Sequence, residues 1–128
     1  MPELPVILVV EDEEPLQAIV HDALKDGGFD LVTTTSGEEA LALFKSGVVT
    51  YAAVVTDVNL AGGMTGWDLA RELREADSSF PVVYMTGAAA DQWAAQGVPN
   101  SILLHKPFAP AQLVTAISQL LNTGSPPP

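Results

Sequence analysis

Four apolar, β-rich runs in this sequence lead directly into residues able to do chemistry. Val6–Val10 is followed by Glu11 and Asp12, Ala52–Thr56 by Asp57 and Ser101–His105 by Lys106, while Pro81–Thr86 closes on Thr86 itself. Carboxylates brought within a few ångströms raise one another's pKa unless a cation intervenes. An all-oxygen set of Glu11, Asp12 and Asp57 suits a hard divalent ion. Either magnesium or calcium fits the ligand types, and magnesium fits better because few carboxylates are offered and the ion keeps its waters. Thr86 can donate a hydrogen bond, and Lys106 is a compact cation on a flexible stem. With a metal, these groups would place three electrophiles around Asp57. Such a set neutralises an incoming phosphoryl group while a carboxylate attacks it to form an acyl phosphate.

Each residue taken alone has a plainer explanation. Acids after a strand commonly serve a helix start, and Glu13 and Glu14 before Pro15 fit that use best. Asp57 alone reads as a turn residue, Thr86 before Gly87 as a loop cap, and Lys106 before Pro107 as a surface cation. Their joint placement at four strand ends is what favours a site. His21-Asp22 lies mid-helix without a supporting motif, and His105 has no second histidine or thiol near it in sequence, so neither reads as a metal ligand. Trp67 and Tyr84 read as core or rim aromatics.

The elements that must position these residues alternate in type. Val6–Val10, Leu31–Thr34, Ala52–Thr56, Pro81–Thr86 and Ser101–His105 read as strands, the first as one buried on both faces. Leu16, Ile19, Val20, Ala23 and Leu24 mark one face of a helix that ends at Gly27-Gly28. Ser36-Gly-Glu-Glu39 has the pattern of a capping box and opens a helix reaching about Gly47. Trp67, Leu69, Ala70 and Leu73 set out another to about Ala76. Ala88–Gln96 reads as a short, weakly amphipathic helix stopped by Gly97-Val98-Pro99. Pro110 starts a last helix through Leu113, Ala116, Ile117, Leu120 and Leu121. This order predicts an α/β chain, a doubly wound (βα)5 fold of flavodoxin-like type with a parallel sheet in order 2-1-3-4-5. Its switch point lies between strands 1 and 3, where ligands bind outside the carboxyl ends. Glu11, Asp12 and Asp57 should meet there.

Composition narrows the partners. The 128 residues contain 5 basic and 16 acidic side chains, a formal charge of −11, and no cysteine. The length fits one domain, assigned here to residues 1–123 with a disordered Pro-rich tail at 124–128. Disulfides, thiolate metal sites and cysteine nucleophiles are excluded. Scattered basic residues argue against direct nucleic-acid binding and against a basic membrane-surface helix. No export or membrane-spanning segment is visible, which makes the cytoplasm the default compartment.

From Ile7 to about Leu121 the chain resembles the receiver domain of two-component response regulators. Val-Val-Glu-Asp-Glu at 9–13, Thr-Asp-Val-Asn-Leu at 56–60, Met-Thr-Gly at 85–87 and His-Lys-Pro-Phe at 105–108 carry the resemblance. It implies that Asp57 is the phospho-acceptor. It also implies that Asp12, Asp57 and the main-chain carbonyl of Asn59 ligate Mg2+, with Glu11 acting through water. Thr86 and Lys106 would bind phosphoryl oxygens, and Thr86 would reposition the loop before the fourth helix. The Lys106-Pro107 bond would be cis. The donor would be a histidine kinase or a histidine phosphotransfer protein, and the switched surface would bind a downstream protein target. The chain is read as a single-domain or hybrid-kinase receiver with no output domain of its own. It would be a signalling module rather than an enzyme in the ordinary sense.

Three departures from the family pattern stand out. Leu103 replaces the usual aromatic three residues before the lysine. Ala61 replaces a proline in a loop that Gly62-Gly63 lengthens by one residue. The segment from Thr86 to Lys106 is short, so the surface formed by helix 4, strand 5 and helix 5 should be reshaped. Ala88 leaves room for water, so no special protection of an acyl phosphate is expected. Among other readings, an aspartate-nucleophile phosphatase of haloacid-dehalogenase type would need an acid where Asn59 stands. A flavin mononucleotide carrier would need a hydroxyl-rich loop where Glu11–Glu14 stand. A degenerate scaffold is disfavoured by the intact residue set.

Overall fold

Residues rich in Val, Ile and Leu favour extended backbone and pair with one another, and these runs do so as a single parallel sheet. The computed structural model of the chain describes residues 4–123, so the tail expected at 124–128 lies outside the described residues. The strands are β1 (Val6–Val10), β2 (Asp30–Thr34), β3 (Ala53–Asp57), β4 (Val82–Thr86) and β5 (Ile102–His105). The helices are α1 (Glu14–Asp26), α2 (Gly37–Ser46), α3 (Gly66–Ala76), α4 (Trp93–Gln96) and α5 (Pro110–Thr123). The sheet order is β2-β1-β3-β4-β5, all parallel, as the sequence predicts.

Alternation along the strands sorts the core into two layers. Ile7, Val9, Ala53, Val55, Val83 and Met85 face α1 and α5, meeting Val20, Leu24, Leu113 and Ile117. Leu8, Val10, Val54, Val82 and Tyr84 face α2 and α3, meeting Ala40, Trp67, Leu69 and Leu73. Burying a side chain of this size contributes roughly 1.5–3 kcal/mol. The sheet is therefore apolar on both faces, and polar chemistry is displaced to its carboxyl edge.

The third strand ends one residue later than the sequence suggests, and the fourth ends on Thr86 as expected; both ends matter for the site. Asp57 is paired with Met85 inside the ladder, and Thr86 is paired with His105. Sheet register, not a loop, fixes their backbones. The Lys106 N–H then donates to the Thr86 carbonyl at 2.9 Å, and the Lys106-Pro107 bond is cis, as the resemblance implies.

Local chemistry corrects the sequence in two places. At α2 the Ser36 hydroxyl accepts from the Glu39 N–H at 3.1 Å, but the Glu39 carboxylate accepts from Thr35, not Ser36. The reciprocal box belongs to α3. There Thr65 Oγ1 accepts from Asp68 N–H and Asp68 Oδ2 accepts from Thr65 N–H, each at 3.1 Å. The helix expected over Ala88–Gln96 is a 3-10 turn at Ala90–Gln92 followed by the single α-turn α4. Side chains from outside the segment hold both of its ends. Thr86 Oγ1 takes the N–H groups of Ala88 and Ala89 at the front of the segment. At the back, Arg71 holds the main-chain and side-chain oxygens of Gln96, and Arg74 Nη1 donates to the Pro99 carbonyl at 2.6 Å.

Candidate functional site

At the carboxyl edge between β1 and β3, one side-chain oxygen from each of Glu11, Asp12 and Asp57 lies within 4.8 Å of the others. The topology gathers these three as the sequence predicts, but their surroundings differ. Glu11 is completely buried. Its Oε2 accepts from the Glu13 N–H at 3.0 Å and its Oε1 accepts from Lys106 Nζ at 3.2 Å. Asp12 is exposed. Asp57 is 6% exposed, its Oδ1 accepting from the Asn59 N–H at 3.3 Å and its Oδ2 from Lys106 Nζ at 3.1 Å. Lys106 therefore crosses from β5 to bridge the carboxylates of two other strands.

One cation among three carboxylates leaves the cluster anionic, and the titration of each group follows. Burial pushes the Asp57 carboxyl above its ordinary value, Lys106 and the Asn59 N–H oppose this, and the charge of Asp12 adds to the rise. Burial likewise raises Glu11, with Asp57 adding to it against Glu13 and Lys106. For Lys106 burial works downward, but its hydrogen bonds to Asp57 and Glu11 and their charges outweigh it and hold the ammonium above its ordinary value. An oxygen-only, anion-rich set open to solvent at Asp12 is one that a hard divalent cation fits.

Asn59 meets Asp57 through its backbone N–H. Thr86 is fully buried at the end of β4, and its hydroxyl oxygen faces the following loop. That hydroxyl accepts from Ala88 and Ala89, at 3.2 and 2.8 Å, which leaves its proton to donate.

The site also depends on residues that its motifs do not mark. A Cβ placed on Gly66 would lie 2.3 Å from the Asp57 carbonyl oxygen and 2.9 Å from Val58 Cα, so α3 begins directly against the backbone of Asp57. Gly62, at φ +96, turns the inserted loop so that the Gly63 N–H donates to Glu38 Oε2 at 3.1 Å. Tyr84, buried against Trp67 with ring centroids 4.5 Å apart, accepts from the Val98 N–H at 3.0 Å. Gln17 donates its side-chain amide to the Glu11 carbonyl. Only the glycines carry a sequence signal for these contacts, since Gly62-Gly63 mark an insertion and Gly66 follows a capping threonine.

A doubly wound sheet with acids from β1 and β3 and a lysine after β5 at its carboxyl edge is the arrangement that the sequence resemblance to receiver domains implies. The comparisons agree. The chain matches the model of the response regulator receiver domain over residues 7–118, and it belongs to that family. It is 28% identical over 118 residues to the response regulator SaeR of Staphylococcus aureus, covering 91% of this chain and 50% of that protein. The chain thus spans about half the length of the curated relatives it matches. A response regulator receiver protein from Sinorhizobium medicae superposes with a TM-score of 0.92 at 44% identity, covering 96% of this chain and 98% of that one. The chemotaxis protein CheY4 of Vibrio cholerae gives 0.81 at 25% identity, over 91% and 98% of the two chains. No helix among the described residues is long and apolar enough to cross a membrane.

Proposed function

We propose that this receiver accepts a phosphoryl group on Asp57, in a Mg2+-dependent transfer from a phosphorylated histidine of a kinase or phosphotransfer protein. The observation that carries the reading is Asp57 itself. It is a nearly buried carboxylate fixed in a strand, 3.1 Å from a lysine amine and clustered with two further acids. In the transfer a carboxylate oxygen of Asp57 attacks phosphorus as the donor's P–N bond breaks. The imidazole nitrogen leaves with the electron pair and takes up a proton.

Asp12, Asp57 and the Asn59 carbonyl, with Glu11 acting through water, would hold the Mg2+. Bound there, the ion would offset the repulsion between the carboxylates and the incoming anion. Lys106 has a flexible stem that lets Nζ follow charge from the carboxylate onto a phosphoryl oxygen. Thr86 donates its free proton to another, which draws on the hydroxyl that now holds Ala88 and Ala89. The loop before α4 is thereby coupled to the state of Asp57, and the changed surface binds a downstream protein. We place this exchange in the cytoplasm and read the domain as a switch, not as an enzyme of metabolism.

Incubation with acetyl phosphate and Mg2+ tests the reading by intact mass. Wild type should gain one phosphoryl group, and Asp57→Ala or EDTA should abolish the gain. A wild type that stays unmodified with a competent donor would sink it.

A further inference from the structure

Gln17, the fourth residue of α1, turns its side chain back toward β1, where Nε2 donates to the main-chain carbonyl of Glu11. A carbonyl can only accept, so the amide nitrogen must be the atom that faces it. That carbonyl belongs to the peptide joining Glu11 to Asp12. Because the peptide is planar, holding its oxygen also sets the direction from which the Asp12 Cα departs. On the other side, the Glu11 N–H donates to the Thr34 carbonyl at 3.0 Å, so both peptides flanking Glu11 are held.

The two acids differ in what orients them. Glu11 has its carboxylate held by the Glu13 N–H and by Lys106. Asp12 is exposed, and no hydrogen bond among the described residues holds its carboxylate. Its direction depends on the peptide before it, and the side-chain contact on that peptide's oxygen is Gln17. The helix is itself anchored to the same loop, with the Gln17 N–H donating to the Glu13 carbonyl at 3.0 Å.

We infer that Gln17 is a positioning residue for Asp12, fixing the Glu11–Asp12 peptide so that the exposed carboxylate stays aimed at the divalent cation. The inference rests on the reading that Glu11, Asp12 and Asp57 hold such an ion. Groups that orient metal ligands commonly set affinity by about 10–100-fold, and a single neutral hydrogen bond to the main chain falls at or below the low end of that range. Losing it should weaken the ion by roughly threefold to tenfold.

Mn2+ serves as the probe, its free concentration read by electron paramagnetic resonance in the full chain. Gln17→Leu removes the donor, and Gln17→Met does so at nearly constant length. Both should raise the Mn2+ dissociation constant by about threefold to tenfold, while the melting temperature in EDTA stays within about 2 °C of wild type. At saturating Mg2+, phosphorylation by acetyl phosphate should recover in extent. A folded Gln17→Met that binds Mn2+ as wild type does would overturn the inference, as would a loss of affinity matched by a fall in EDTA stability. A wild type that binds no Mn2+ through Asp57 would overturn the underlying reading instead, and the two failures are distinct.

Discussion

The acidic cluster stores an electrostatic imbalance that can be measured without any phosphate. Asp57 and Glu11 both titrate above their ordinary values in the fold. A raised carboxyl binds protons in the folded state at a pH where the unfolded chain has already released them. Its contribution to stability is therefore present below the ordinary carboxyl pKa near 4 and is lost as pH rises through the raised value. The contribution of the raised Lys106 is fully present over this range and fades only at much higher pH, as the ammonium deprotonates. In EDTA, the melting temperature should thus fall as pH rises from the ordinary carboxyl range to neutrality, and Mg2+ should remove most of the difference by offsetting the same charges. Asp57→Asn should raise the EDTA value at neutral pH and blunt the Mg2+ response. A melting temperature that rises with pH over this window in EDTA would contradict the assignment.

Among the elements, the start of α3 carries the clearest mechanical constraint. Gly66 is tolerated there because nothing projects from it, and its N–H donates to the Val58 carbonyl at 2.9 Å. Gly66→Ala would push a methyl group into the backbone of Asp57, where no flexible side chain can yield. Overpacking of this kind costs about 1–3 kcal/mol. The variant should lower the denaturation midpoint accordingly and slow phosphorylation of Asp57 at saturating Mg2+. Full stability together with wild-type labelling would show that the helix shifts freely. The segment after β4 shows how elements fix one another's ends. Thr86 holds its first amides, and two arginines of α3 hold carbonyls at and beyond its end. Those partners come from residues up to 25 positions away, which periodicity cannot register.

At the scale of the whole molecule, the charge of −11 opposes any anionic donor that approaches the site. Salt screens such repulsion over about 8–10 Å at physiological strength. With Mg2+ held saturating, the second-order rate of labelling by acetyl phosphate should rise by a few-fold between roughly 0.02 and 0.2 M NaCl. A rate that falls steadily with salt under those conditions would mean that local attraction outweighs the global field.

The order of elements, the two-faced apolar strands and the five chemical residues at strand ends were all legible in sequence. Hydrophobic periodicity and residue chemistry are local properties, and right-handed parallel crossovers leave few ways to assemble them. What the sequence could not contain were contacts made through space by ordinary residues. Gln17 reads as one more polar helix position until the Glu11 carbonyl lies beside it. Tyr84 reads as core until its hydroxyl meets Val98, and the capping box reads as Ser36 and Glu39 until Thr65 and Asp68 form it. The tertiary structure also decided that Glu11 is buried while Asp12 is open, and that Lys106 bridges Glu11 and Asp57. Residue types determine which chemistry is available, whereas burial and partnership depend on what the rest of the chain brings to the same few ångströms.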